Sequence, residues 1–203
     1  MVQNVQKLRE LAERGDADAQ FRYGYACEHG QDLAKDYQAA MHWYRKSADQ
    51  GNPEAIRSVG WLYEKGWGVP RDVNMAIEWY RHAADKGNSD AQWRIGYLYM
   101  IGDSVPQDYE KSLYWFHRSA DLGDRNGQFF LGHLYEHGYG VTRDKAKAIE
   151  WYGRAADQGD DRAKKGLVRL LGSMYPSPDS HPVINIISGT IINSTIDQSN
   201  SMR

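Results

Sequence analysis

Gly51-Asn52-Pro53-Glu54-Ala55-Ile56-Arg57-Ser58-Val59-Gly60-Trp61-Leu62-Tyr63-Glu64-Lys65-Gly66, then Trp67-Gly68-Val69-Pro70-Arg71-Asp72, then Val73 through Lys86, reads as two helices joined by a turn. Asn52 is a favourable N-cap, and Pro53 stands at the first helical position, where its missing N–H costs nothing. Ala55, Val59, Leu62 and Tyr63 follow at i, i+4, i+7 and i+8, which makes one apolar face of a first helix, helix A. Gly66 stops that helix in the left-handed conformation, and Asp72 caps a second, helix B. Ala76, Trp79, Tyr80, Ala83 and Ala84 form the expected buried face of helix B. Gly87 ends it, and Asn88 caps the next helix A.

The unit recurs. Gly15, Gly51, Gly87, Gly123 and Gly159 fall 36 residues apart, as do Trp43, Trp79, Trp115 and Trp151, and Ala48, Ala84, Ala120 and Ala156. A fixed period of this size marks a stacked array of small units. Four repeats follow, 15–50, 51–86, 87–122 and 123–158. Residues 2–14 carry Val5, Leu8, Leu11 and Ala12 in the phase of helix B. Residues 159–172 carry Ala163, Leu167, Leu170 and Leu171 in the phase of helix A. The expectation for residues 1–172 is one elongated array of ten helices with an atypical half-unit at each end. Gly24, Gly60, Gly96 and Gly132 sit in mid-helix, each at a cost of about 1 kcal/mol against Ala. A cost repeated four times implies close approach of helix A to helix B of its own unit. Val168 takes the glycine's place in the last helix, so no B partner is expected there. The pairs Trp43-Tyr44, Trp79-Tyr80, Trp115-Phe116 and Trp151-Tyr152 supply the large buried areas.

The pattern Ala55…Gly60…Tyr63…Gly66-x-Gly68-Val69-x-x-Asp72…Ala76-x-x-Trp79-Tyr80-x-x-Ala83-Ala84-x-x-Gly87 resembles the Sel1-like repeat, a relative of the tetratricopeptide repeat. The resemblance covers residues 15–158. It implies an all-α fold, an α/α superhelical solenoid with a right-handed turn, and an adaptor role in assembling protein complexes. The secreted, cysteine-rich branch of that family ties its helices with disulfides. The single Cys27 sets this chain apart from that branch.

Bulk properties narrow the function. A formal net charge of −2 gives no drive toward nucleic acid or anionic membrane. Mean hydropathy is −0.75, and no apolar run reaches a membrane span. Met1-Val2-Gln3-Asn4-Val5-Gln6-Lys7 lacks an apolar signal core. With a lone cysteine, these point to the cytoplasm.

Subtracting the structural positions leaves one stripe on the A helices, spaced i, i+3, i+7, i+10. It reads Asp18, Phe21, Tyr25, Glu28; Glu54, Arg57, Trp61, Glu64; Asp90, Trp93, Tyr97, Met100; Asn126, Phe129, His133, Glu136. The family resemblance places this face on the concave side. Aromatic residues concentrate binding energy. The expected ligand is therefore a protein segment with apolar anchors beside Lys or Arg, the latter facing Asp18, Glu28, Glu54, Glu64, Asp90 and Glu136. The alternative is that the aromatics only pack against the next repeat.

No catalytic constellation, cofactor or metal set is expected. His133 and His137 stand at i, i+4, a spacing able to hold a metal, but no third ligand is evident beside them. They anchor the rival reading of a metal-binding protein or enzyme. Gly66-Trp67-Gly68-Val69 and Gly138-Tyr139-Gly140-Val141 follow helices and lack the Lys-Ser/Thr of a phosphate loop. Cys27 takes the phase of Tyr63, Tyr99 and Tyr135 and is expected to be a packed thiol. Nucleic-acid stacking needs a cationic groove, and this stripe reads as acidic.

Past Leu171 the composition changes. Residues 173–182 form a proline-broken linker, and 183–203 a β-prone tail. Val183, Ile184, Ile186, Ile187, Ile191, Ile192 and Ile196 suggest one or two strands with a turn at Ser188-Gly189. Exposed Ile-rich strands tend to pair with another chain, so self-association is expected, with folding back as a cap or a free tail as alternatives. The stretch Gly189–Gln198 also resembles short segments of some bacterial defence and conflict proteins. That resemblance implies a second role, in an anti-phage or toxin–immunity system.

Overall fold

A computed structural model describes residues 2–174, 183–187 and 190–194, with side chains described for 5–173. The chain divides into two compact units, 1–112 and 113–203. Among the described residues the helices are α1 (Val2–Glu13), α2 (Ala17–His29), α3 (Tyr37–Asp49), α4 (Pro53–Lys65), α5 (Val73–Asp85), α6 (Ser89–Ile101), α7 (Tyr109–Asp121), α8 (Arg125–His137), α9 (Lys145–Asp157) and α10 (Asp161–Met174). This is the expected order, one B-type helix, four A–B pairs and a final A-type helix. α10 ends at Met174, two residues past the expected end of the array at 172.

The caps are where the chain signals them. The Asn52 side chain accepts a hydrogen bond from the Ala55 amide, and Asp72 accepts one from Met75. Gly66 ends α4 at φ +70° with its amide on the Leu62 carbonyl. These contacts satisfy end groups that no helix can satisfy internally.

Gly24, Gly60 and Gly132 do face helix B. A Cβ on Gly60 would lie 2.9 Å from two ring carbons of Tyr80 and 3.2 Å from the Ala76 carbonyl oxygen. Gly24 meets Tyr44 and Gly132 meets Tyr152 in the same way. In three of the four pairs only the second ring is buried; in the other, Trp115 at 8 % exposed is buried beside Phe116. Tyr44, Tyr80 and Phe116 are 0 % exposed and Tyr152 1 %, whereas Trp43, Trp79 and Trp151 are only half-buried. This corrects, for the pairs of Trp43, Trp79 and Trp151, the expectation that both rings supply large buried areas. One helical step turns the Trp by about 100°, toward the flank.

Neighbouring repeats join through other positions. Tyr63 and Tyr99, expected inside, are half-buried, and their hydroxyls receive Arg45 and Arg81 of the preceding B helix. Cys27, in the same phase, is fully packed, and burial pushes its thiol up to about 11. In α10, Val168 is 68 % exposed, as a last helix without a B partner requires. There Gly166 closes on the outer edge of Tyr152, so two glycines enclose that ring.

Beyond the array, β1 (Val183–Ile187) pairs antiparallel with β2 (Thr190–Ser194), with Ile187 opposite Thr190. The expected turn residues Ser188 and Gly189, and Ile196, lie outside the described residues.

Candidate functional site

The stripe splits into an inner and an outer part. Glu28, Glu64 and Glu136 are 7 %, 8 % and 6 % exposed. Each accepts a hydrogen bond from the core tyrosine of its own unit: Tyr44 to Glu28 at 2.6 Å, Tyr80 to Glu64 at 2.8 Å, Tyr152 to Glu136 at 2.7 Å. These carboxylates were expected to flank the groove. Structure gives them a different use, because a tyrosine hydroxyl buried beneath the mid-helix glycine needs an acceptor. Burial, reinforced by these carboxylates, holds the three phenols far above their ordinary range.

The sequence carries a signal for this pairing. Glutamate and tyrosine stand 16 residues apart in three repeats. In the repeat that has Met100, the residue 16 further on is Phe116, so carboxylate and hydroxyl are lost together.

Charge on the stripe is mixed rather than acidic. Glu64 is met by Lys65 at 2.9 Å and by Arg94 at 3.7 Å. Arg57 bridges Glu54 and Asp90, each at 3.3 Å. Arg169 grips Glu136 with two hydrogen bonds of 2.9 and 2.6 Å. Burial pushes the Glu136 carboxyl up, but the hydrogen bonds from Arg169 and Tyr152 outweigh it and leave the group below its usual range.

The aromatics form the outer part. In the first unit Trp61 lies half-buried between two cations, Lys65 and Arg94, each 4.2 Å from its ring centre. Arg94 also covers Trp93 at 4.6 Å, and Trp93 meets Tyr97 edge-on at 6.2 Å. Tyr25 is exposed, stacked on His29 at 3.9 Å. Phe21 and Tyr25 line an open groove of about 640 Å³ with Val5, Leu8 and Leu11 of α1. Asp18 is exposed, and Met100 is half-buried. In the second unit Phe129 lies under Arg162 at 4.2 Å, and His133 neighbours His137 and Tyr139.

A third potential ligand stands beside the two histidines. Donor atoms of His133, Glu136 and His137 all lie within 4.8 Å of one another. Its signal was the spacing His133-x-x-Glu136-His137 on one helix face, hidden because Glu136 is also a repeat position. Burial, then His137, hold the His133 imidazole below its ordinary range. Among the described residues no helix is long and apolar enough to cross a membrane.

Comparisons with known proteins agree with this architecture. The Sel1 repeat model matches residues 17–52, 53–88, 89–124 and 126–160, shifted by about two residues from the glycine-based frame. A protective antigen of uropathogenic Escherichia coli, c5321, has an SLR fold and is 38 % identical with a TM-score of 0.79. The alignment covers 84 % of this chain and 36 % of that one, so this chain spans about a third of its length. A Sel1 repeat protein from Oxalobacter formigenes is 30 % identical over 86 % of this chain and 77 % of that one, TM-score 0.75. Immunity protein Pa5087 from Pseudomonas aeruginosa is 25 % identical over 78 % of this chain and 59 % of that one, TM-score 0.55. No curated protein matches by sequence. With four repeats matched in tandem and the helix pairs they require present, the chain belongs to the Sel1 repeat family.

Proposed function

We propose that this protein is a non-enzymatic scaffold that holds a segment of a partner protein against the outer part of the A-helix stripe. The supporting observation is the half-buried aromatic row Trp61, Trp93 and Tyr97 on α4 and α6, with Phe21 and Tyr25 on α2. These rings are only partly buried, whereas Tyr44 and Tyr80 are 0 % exposed. The mixed charge refines the ligand. Asp18 is exposed to a partner's Lys or Arg, and Glu54 and Asp90 would have to share Arg57 with it, whereas Glu28, Glu64 and Glu136 serve the fold. Work in the cytoplasm, with neither nucleic acid nor membrane as ligand, belongs to the same reading.

The test is affinity selection with the wild-type chain and with a Trp61→Ala, Trp93→Ala, Tyr97→Ala variant, followed by calorimetry with the purified partner. Loss of three anchors at roughly 1–2 kcal/mol each predicts at least about a hundredfold weaker binding with helicity retained. Unchanged affinity in a folded variant rejects the site.

Self-association through the tail is the second part of the proposal. β1 and β2 form a two-stranded sheet, a form marginal alone in water and open to further pairing. Light scattering should show a larger assembly for the full chain than for a chain ending at Pro182; equal masses reject it. A toxin–immunity role is the alternative that the likeness to Pa5087 supports. An identified partner that is a toxin effector would favour it.

A further inference from the structure

We infer that His133, Glu136 and His137 on α8 form a binding site for a divalent d-block cation, zinc by its donor set. The Nδ1 of His137 lies 3.0 Å from the His133 carbonyl oxygen. A carbonyl only accepts, so Nδ1 is the donor, and in the neutral ring Nε2 is the nitrogen left for an ion. A ring nitrogen tied to a backbone carbonyl, with the other left to the ion, is the usual second-sphere arrangement of a metal-bound histidine. Tyr139 stacks on the His137 ring at 5.3 Å and 18°, which limits the ring's rotation.

Geometry is within reach. The two imidazole centroids are 4.4 Å apart, and the donor atoms of the three residues lie within 4.8 Å. Zinc bonds of about 2.0–2.1 Å in a tetrahedron bring two donors to roughly 3.3 Å. Side-chain rotation is the movement that would close the difference. His137 is exposed and His133 half-buried, so the ion can enter from solvent and keep a water as fourth ligand. Glu136 is held by Arg169 and Tyr152, yet its Oε1 receives only Arg169 in the described contacts and retains a lone pair. Arg169 orients this carboxylate and also repels the incoming charge.

The array supplies its own comparison. The same three positions read Tyr25, Glu28, His29 in α2; Trp61, Glu64, Lys65 in α4; and Tyr97, Met100, Ile101 in α6. Only α8 places two imidazoles beside the carboxylate.

Calorimetry and metal analysis of the untagged full chain with zinc chloride, at pH 7.5, test the site. One zinc per chain is expected. His133→Ala and His137→Ala should each weaken binding at least about tenfold, and His29→Ala should leave it unchanged. Arg169→Leu, which frees the Glu136 carboxylate from its competing cation and keeps all three ligand residues, should tighten it. Circular dichroism confirms that each variant is folded. Absence of zinc uptake, or uptake insensitive to both histidine substitutions, overturns the site. An Arg169→Leu affinity equal to or weaker than wild type overturns Glu136 as third ligand.

Discussion

Replacing Tyr80 with Phe removes one oxygen atom and leaves Glu64 8 % exposed without its 2.8 Å donor. A hydrogen bond to a charged group contributes about 1.5–3 kcal/mol. The carboxylate keeps Lys65 and Arg94, so the lower half of that range, about 1.5–2 kcal/mol, is expected. Glu64→Met does the converse. It strands the hydroxyl of a residue that is 0 % exposed, at about 1–3 kcal/mol. The double variant, Glu64→Met with Tyr80→Phe, reproduces the combination that the next repeat already carries as Met100 and Phe116. Neither group is then left unsatisfied, and the cost should fall below the sum of the single costs by about 1–2 kcal/mol. The cycle cancels what Glu64→Met does to Arg94, which retains Asp90 at 4.0 Å. Urea unfolding followed by circular dichroism reads it. Each single change should move the midpoint by roughly 1 M, provided the slopes agree. Additive single effects would refute the claim that these residues act as a pair.

Two further outcomes follow from other contacts. Gly60→Ala places a Cβ 2.9 Å from the Tyr80 ring and should destabilise by about 1–2 kcal/mol despite better helix propensity, whereas Gly153→Ala in α9 meets nothing within 4 Å and should stabilise by up to about 1 kcal/mol; thermal melts of the two variants check the contrast. Because Glu136 has a folded value below its ordinary 4.5, its contribution is present above that pH and is lost as pH falls through the lower folded value. The stability difference between wild type and Arg169→Leu should therefore shrink between pH 7 and pH 3 in urea titrations, and a constant difference would contradict the pairing.

The repeat was legible because its punctuation is chemical. Asn52, Pro53, Gly66 and Asp72 act locally, through backbone groups within a few residues, and the structure finds each where the chain signals it. The choice between Trp79 and Tyr80 was not legible, since adjacent residues on a helix flank share the same pattern and only the glycine on the facing helix decides. Glu64 was misplaced for a related reason. Its partner lies on a different helix, and the recurring 16-residue spacing, with the paired loss at Met100 and Phe116, was the trace in the chain. The cations on Trp61 and Trp93 escaped notice because Lys65 and Arg94 are individually unremarkable surface types. Glu136 as a third ligand was hidden by its repeat role.

The aromatic stripe as a partner surface is tested most directly by site-specific photo-crosslinking in unit 1. A photoreactive phenylalanine analogue is placed at position 97 on α6, or at exposed position 78 on α5 as control. A covalent adduct with the partner is expected from position 97 and none from position 78. Crosslinking from position 78 alone would place the partner on the B helices and contradict it.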